Sequence, residues 1–258
     1  MSANRSLEES PQQVIAVWFS CGAASAVAAK QTLERYGNTH VIRVINNPVK
    51  EEDPDNRRFL NEVEDWLGIP IETAYNPKYP DHSAVTVWNV RRFMSGVHGA
   101  PCTEELKKKA RQHWEKTNEV TWHVLGFTYD EKHRHERFIE SERSNVLPVL
   151  IDSNTTKADC FRILLEAGIA LPRMYEKGYP NANCIGCVKA TSPTYWNHVR
   201  KNHPEVFLER AQQSRELGAR LVRVNNKRMF LDELDPNAVG RPMKTLQFEC
   251  GIFCEEQK

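Results

Sequence analysis

The segment from Val14 to Ala29 constrains the fold more than any other part of the chain. Six apolar residues, VIAVWF, are typical of a buried parallel strand, and the alanine-rich stretch after them favours a helix. Between them, Gly22 lets backbone N–H groups approach an anion, and the positive end of the helix points at the same place. This order predicts a phosphate-binding turn, with the candidate nucleotide-binding residues Ser20, Cys21, Gly22, Ala23, Ala24 and Ser25.

Segments typical of strands and helices alternate along most of the chain. Strands are predicted at 14–19, 41–45, 69–73, 119–127 and 146–151. Helices are predicted at 24–36, 54–67, 85–93, 156–167, 193–201 and 204–217, with another capped by Thr103. Repeated βα units of this length predict an α/β fold with a doubly wound, mostly parallel sheet. Ligands of such sheets bind beyond the carboxyl ends of strands, which adds Gly126, Phe127 and Thr128 to the candidate nucleotide site.

Three regions are predicted: a polar tail at 1–13, a nucleotide-binding α/β domain at 14–170, and a helical, cysteine-bearing C-terminal extension at 171–258. The net charge of +1 gives no overall bias toward nucleic acid. The charge is uneven, however, because 197–228 holds eight Lys and Arg residues and three acids. We interpret this basic stretch as a solvated helix face or, alternatively, as a contact for nucleic acid.

The chain carries no apolar run near the roughly 20 residues that span a bilayer, and its N-terminal residues have no signal-peptide core. We therefore expect a cytoplasmic protein without a membrane partner. In that compartment, seven cysteines indicate thiols or metal ligands rather than disulfides.

Four cysteines form two close pairs, Cys184 with Cys187 and Cys250 with Cys254. Two such pairs can supply the four thiolates that zinc or a 4Fe-4S cluster requires. Cys102 is a fifth candidate ligand, which would leave one tail cysteine free. The alternatives are buried free thiols, with Cys250 as a nucleophile. Cys21 is either a second reactive thiol or, as we favour, a small side chain that fills a tight turn.

Two basic residues are candidates for binding phosphate or sulfate, although surface solvation explains either one equally well. Lys107 belongs to the run Lys107, Lys108, Lys109 and Arg111. Arg134 follows a predicted strand end, where its guanidinium can hold two phosphate oxygens.

Six stretches of the chain carry a resemblance to a known family. They are 20–25 (SCGAAS), 55–69, 99–107 (GAPCTEELK), 125–134 (LGFTYDEKHR), 183–187 (NCIGC) and 249–252 (ECGI). Together they resemble the phosphoadenosine phosphosulfate (PAPS) reductase family of adenine-nucleotide α-hydrolase-like enzymes. The resemblance implies an adenine nucleotide, PAPS or ATP, as cofactor or substrate, and a sulfur or electron donor protein as partner. It makes Cys250 the nucleophile, Lys107 the favoured anion-binding cation, and Glu131 part of the nucleotide site.

Departures from the family pattern bear on the activity. Ala24 stands where ATP-cleaving members carry Asp, and Cys21 stands at the first glycine position. The missing carboxylate favours a nucleotide with fewer phosphates than ATP. Phe253 replaces the histidine of the tail, which bears on how Cys250 is activated. The leading interpretation is a PAPS reductase-like enzyme that reduces or transfers activated sulfur. The alternatives are nucleotide-activated thiolation of a nucleic acid, and a non-catalytic nucleotide- or partner-binding protein.

Overall fold

The computed structural model describes residues 12–96 and 99–243. Five of its strands are β1 Val14–Phe19, β2 Val41–Asn46, β3 Ile71–Thr73, β4 Trp122–Val124 and β5 Val146–Leu147. They form one sheet in the order β3-β2-β1-β4-β5, and every neighbouring pair is parallel. The predicted α/β class with a parallel sheet is confirmed.

Some helices connect these strands, and others come after β5 in the chain. Their bounds are α1 Ala23–Tyr36, α2 Asp55–Leu67, α3 Ala84–Arg91, α4 Pro101–Thr103, α5 Lys109–Glu115, α6 Lys132–Ser141, α7 Val149–Asp152, α8 Lys157–Glu166, α9 Arg173–Glu176, α10 Pro193–Asn202 and α11 Pro204–Glu216. A π-helical turn, Glu104–Lys108, joins α4 to α5. Short 3-10 turns lie at Tyr129–Glu131 and Leu231–Glu233.

Side chains of β1 alternate between the two faces of the sheet, as a period of two requires. Ile15 and Val17 pack on one face with residues of α1, α2 and α8. Ala16 and Trp18 pack on the other face with Trp114 of α5, whose ring meets Trp18 edge-on at 5.6 Å between centroids. Helices therefore cover both faces, which agrees with a doubly wound sheet.

Local sequence signals explain where α2 begins and ends. The carboxylate of Asp53 accepts a hydrogen bond from the Asp55 N–H at 2.9 Å, which satisfies a donor at the start of the helix. Phe59 and Val63 are fully buried at helical spacing. Gly68 ends the helix with φ at 70°, a left-handed conformation that glycine adopts without strain.

The C-terminal part shares a core with an earlier segment. Buried residues of α10, such as Tyr195 and Trp196, lie in one apolar cluster with Trp88 of α3 and with Leu106. A short antiparallel hairpin, β6 Val222–Val224 and β7 Lys227–Met229, completes this region. Within residues 12–96 and 99–243, every helix is too short or too polar to span a bilayer.

Two local predictions are wrong, and one element of the structure has no counterpart among the predictions. Helical structure starts at Pro101, so Thr103 lies inside the first turn and does not cap it. Proline is favoured at the first helical position, because the N–H group that it lacks would have no acceptor within the helix. The strand predicted at 146–151 ends at Leu147, since Pro148 cannot donate to the sheet and α7 begins after it. The hairpin of β6 and β7 was not predicted.

Candidate functional site

The site is centred where the order of the strands reverses. From β1 the chain passes to β2 and β3 on one side, and then crosses to β4 on the other side of β1. The crevice beyond the carboxyl ends of β1 and β4 is the place where open α/β sheets bind ligands. The predicted turn at 20–25 and the predicted segment at 126–128 both lie at this edge.

The turn after β1 is closed by its own serines. Ser25 is buried, and its Oγ accepts from the Ser20 N–H at 3.1 Å and donates to the Gly22 carbonyl at 2.9 Å. Ser20 is exposed, with its Oγ 3.2 Å from that of Ser25. Helix α1 begins directly after Gly22, and the N–H groups of Ala24 and Ser25 have no hydrogen-bond partner among the described residues. The turn therefore presents backbone donors at the positive end of a helix.

Gly126 brings the end of β4 against this turn. A Cβ atom at Gly126 would lie 2.8 Å from the backbone nitrogen of Ser25 and 3.0 Å from its Cα. Only glycine permits this approach, because the colliding atoms belong to the backbone and cannot swing away. The two predicted segments are therefore in direct contact, and together they form one wall of the crevice.

The residues after Gly126 form a local polar network. Thr128 is buried, and its N–H donates to the carboxylate of Glu131 at 3.3 Å. Arg134 pairs with Glu131, and its guanidinium lies over the ring of Phe127 at 5.5 Å from the centroid. Thr128 and Glu131 thus cap the turn that starts α6. The predicted site residues of this loop are held in one network.

Tyr175 of α9 is a site residue that sequence reasoning missed. The Ala23 N–H donates to its hydroxyl at 3.3 Å, and the hydroxyl lies 3.4 Å from where a Cβ of Gly22 would be. The Tyr175 ring packs on Phe161, with 4.8 Å between centroids. Tyr175 is 152 positions from Ala23 in sequence and occurs in a stretch without helical periodicity. No local pattern predicts the contact.

The N-terminus of α2 holds the segment that carries Tyr175. The Arg58 guanidinium donates to the carbonyls of Ala170 and Leu171, each at 3.1 Å. The Arg173 N–H donates to Asp55 at 2.8 Å, and the Arg173 guanidinium pairs with the buried carboxylate of Asp53. Arg58 and the Arg173 N–H keep the pKa of Asp55 below its usual value. These contacts fix where the Tyr175 hydroxyl lies above the turn.

Cys21 fills the inner side of the turn. Its side chain is 3% exposed, and its backbone is left-handed with φ at 55°. The Asn46 amide lies 3.5 Å from its sulfur. Burial, and then the negative charge of Glu52, raise the pKa of the thiol well above its ordinary value. Cys21 is therefore a protonated packing residue, which agrees with the favoured interpretation of its role.

Lys107 lies on the same inner side, at the end of the π-helical turn. Its ammonium donates to the Asn47 carbonyl at 2.7 Å and to Glu52 at 3.1 Å, and only 6% of the residue is exposed. Both Lys107 and Glu52 act electrostatically on the Cys21 thiol. Irregular π-helical turns are frequent at functional sites. The structure thus places this predicted cation behind the turn, in a buried ion pair.

Three of the predicted cysteine ligands belong to, or pack against, one apolar cluster. Cys187 is buried, its N–H donates to the Tyr195 hydroxyl at 2.8 Å, and Cys102 and Cys184 pack against the same apolar cluster. Cys250 and Cys254 lie outside the described residues. In the ranges that the structure describes, no group of three or more His, Cys, Asp or Glu side chains is arranged to hold a metal ion. These three cysteines therefore do not make a metal site by themselves.

No protein-family model matches the chain, and no curated protein matches it either. The arrangement around the crevice offers backbone donors, the exposed Ser20 hydroxyl and the Tyr175 hydroxyl to an anion. It is suited to binding a phosphate group.

Proposed function

We propose that the chain binds the phosphates of an adenine nucleotide in the crevice between β1 and β4 and uses that nucleotide in PAPS reductase-like sulfur chemistry. The main support for the proposal is the close contact between Gly126 and Ser25. It brings together two segments that resemble the PAPS reductase family, 20–25 and 125–134, and they form one wall of the crevice. The crevice lies at the strand-order reversal, where ligands of this architecture bind. An adenine-nucleotide α-hydrolase-like fold agrees with the parallel sheet.

The charge at the start of α1 favours an anion. Its first residues, Ala23 to Ala26, include no acid that would offset the positive end of the helix dipole. The neutral Tyr175 hydroxyl is the acceptor that meets the Ala23 N–H. The N–H groups of Ala24 and Ser25 have no partner among the described residues, so a phosphate oxygen could accept from them in charge-assisted hydrogen bonds. The turn therefore has backbone donors for a phosphate beside the Tyr175 hydroxyl.

The alanine at position 24 bears on how many phosphates the bound nucleotide carries. A triphosphate is normally bound with Mg²⁺, for which carboxylate oxygens are the preferred protein ligands. The turn carries alanine at the position where the ATP-cleaving relatives have aspartate. We therefore favour PAPS, with a single phosphate at the 5′ side and another on the ribose, over ATP.

The sulfur step would use a thiolate from the tail. In the PAPS reductase-like proposal, Cys250 attacks the sulfonyl sulfur, and the bond from sulfur to the phosphate oxygen breaks with its electron pair leaving on adenosine 3′,5′-bisphosphate. The sulfonate on Cys250 then leaves as sulfite when a dithiol donor protein supplies two electrons. With Cys250 as the nucleophile, Cys184 and Cys187 together with Cys102 and Cys254 would be the ligands of a 4Fe-4S cluster or zinc, and no step depends on it.

The proposal is tested by calorimetric titration and by sulfite release. We expect adenosine 3′,5′-bisphosphate to bind at least tenfold more tightly than ATP with Mg²⁺. Sulfite should form from PAPS with a dithiol protein as reductant, and Cys250→Ser should abolish it without changing nucleotide affinity. Tight binding with no sulfite in the wild type would support the non-catalytic alternative. No binding of either nucleotide would overturn the proposal.

A further inference from the structure

The hairpin of β6 and β7 concentrates positive charge on an exposed ribbon. Between residues 217 and 230 the chain carries Arg220, Arg223, Lys227 and Arg228 and no acid. All four side chains are exposed, and none forms an ion pair with any residue that the structure describes. The acids that follow, Asp232 and Glu233, are both held by Arg215 at 2.9 and 2.8 Å.

Two of these cations face each other across the strands. Arg223 is the register partner of Arg228 in the antiparallel pair. Like charges directly opposite each other destabilise a hairpin. Partial burial, and then the positive charge of Arg223, hold the pKa of Arg228 below its ordinary value. The Arg228 guanidinium donates to the Leu221 carbonyl at 3.3 Å, which restrains one of the two charges. An anion lying across both would remove the repulsion.

The ribbon is rigid and anchored in the core. Its two-residue tip, Asn225 and Asn226, has φ at 46° and 62°, the left-handed pair that matches the twist of a tight hairpin. Leu221 and Val222 are buried in the same apolar cluster as Cys187. The Arg223 N–H also donates to the Thr191 carbonyl at 2.8 Å. The backbone that carries these cations is therefore held in place before binding, which reduces the ordering cost of association.

We propose that this hairpin binds the sugar–phosphate backbone of a nucleic acid, with Arg223 and Arg228 sharing phosphates on one face of the ribbon, Arg220 just before it and Lys227 at its tip. A two-stranded antiparallel ribbon is narrow enough to enter the major groove of a DNA duplex, and cations spread along a projecting surface match a repeating anion. A protein partner is less favoured, because the centres of protein interfaces are depleted in charge. The inference does not depend on the nucleotide crevice.

The test is fluorescence anisotropy of the full chain with labelled duplex DNA, single-stranded DNA and duplex RNA over a range of salt concentrations. In the double variant Arg223→Gln, Lys227→Gln we expect at least a tenfold loss of affinity. The slope of log affinity against log salt should fall by about two for duplex DNA, because about one counterion is released per phosphate contact. The melting temperature should not fall, since the like-charge pair is relieved. The tightest of the three probes identifies the preferred nucleic acid.

A matched control removes the same charge elsewhere. Arg57 and Lys116 are exposed cations of the α/β part without an ion pair among the described residues, so Arg57→Gln, Lys116→Gln changes the net charge equally. It should leave affinity within twofold of the wild type. Equal losses in both double variants would overturn the proposal, because binding would then follow net charge. Displacement of the nucleic acid by poly-glutamate at equal charge concentration would also overturn it, in favour of an acidic protein partner.

Discussion

The hydroxyl of Tyr175 lies 3.3 Å from the backbone nitrogen of Ala23 and so meets the first N–H of α1. This places a neutral polar group at the edge of the predicted phosphate turn. A tyrosine hydroxyl both accepts and donates, so it can accept from Ala23 in the free protein and donate to a phosphate oxygen in the complex. Tyr175 is therefore a candidate ligand of the nucleotide phosphate.

Replacing Tyr175 with phenylalanine tests this assignment. Tyr175→Phe keeps the ring on Phe161 and removes only the hydroxyl. We expect at least a tenfold loss of affinity for adenosine 3′,5′-bisphosphate, since a hydrogen bond to a charged group contributes about 1.5–3 kcal/mol. Calorimetric titration measures the affinity. Unchanged or tighter binding would show that the hydroxyl only covers the turn.

The ion pair of Asp53 and Arg173 should position Tyr175 from a distance. Asp53→Asn removes the charge that holds the Arg173 guanidinium while keeping the side-chain shape. We expect faster amide hydrogen exchange in 170–178 and a loss of nucleotide affinity. The loss should be smaller in a Tyr175→Phe background, because contacting groups couple non-additively. Additive losses would mean that Asp53 acts independently of Tyr175.

The buried pair of Lys107 and Glu52 should dominate the stability of the inner side of the turn. Lys107→Met removes the cation 3.1 Å from a carboxylate that is mostly buried. We expect a loss of about 3 kcal/mol in the free energy of unfolding, because one charge keeps its desolvation cost without its partner. Urea titration measures the loss. The double variant with Glu52→Gln should recover most of it; no recovery would mean that packing of the lysine stem is responsible.

Local signals were strong around β1, and there the sequence predictions hold. The strand β1 has the predicted bounds, α1 begins within one residue of the prediction, and α8 lies within the helix predicted at 156–167, capped by Thr156 with Asp159. Apolar runs, helix-ending glycines and capping residues act over a few positions, so they can be recognised in the sequence alone. The same signals placed the turn and Gly126 at the sheet edge.

The unpredicted features depend on long-range contacts. Tyr175 reaches the turn only because α2 holds the 170–175 segment. Lys107 is buried because Glu52 is folded against it, although its sequence neighbours suggested a solvated basic run. The β6–β7 hairpin turns at Asn225 and Asn226, which both adopt left-handed backbone. The turn contains no glycine, the residue that most clearly signals such a conformation in a sequence. Composition alone does not separate such a turn from an exposed loop.

The buried imidazole of His123 should make stability depend on pH. The Trp18 indole N–H donates to the His123 imidazole at 3.1 Å. Burial and the nearby guanidinium of Arg143 lower the pKa of His123 to about 4. The folded state therefore binds the proton less readily than the unfolded chain, whose histidine has a pKa of about 6.5. The contribution that neutral His123 makes to the free energy of unfolding is therefore complete above about pH 6.5 and is lost as pH falls toward 4.

Urea titrations of the wild type and His123→Gln at several pH values measure this dependence. We expect the free energy of unfolding of the wild type to fall by up to about 3 kcal/mol over that range through His123, and the variant to show a smaller slope. Burial shifts the pKa of His135 and His203 in the same direction, so some slope remains. Equal slopes in both proteins would contradict the assignment to His123.

The claim that the β1–α1 turn binds phosphate is tested most directly at Gly22. Its backbone, with φ at −102° and ψ at 154°, suits an aspartate or asparagine cap, and a Cβ there has only ordinary contacts. Gly22→Asp and Gly22→Asn should both keep or raise the melting temperature. Only the aspartate places a negative charge where a phosphate would lie.

The measurement is the affinity of both variants for adenosine 3′,5′-bisphosphate by calorimetric titration. We predict that Gly22→Asp binds at least tenfold more weakly than Gly22→Asn, a difference of about 1.4 kcal/mol or more. Equal affinities in the two folded variants would contradict phosphate binding at this turn.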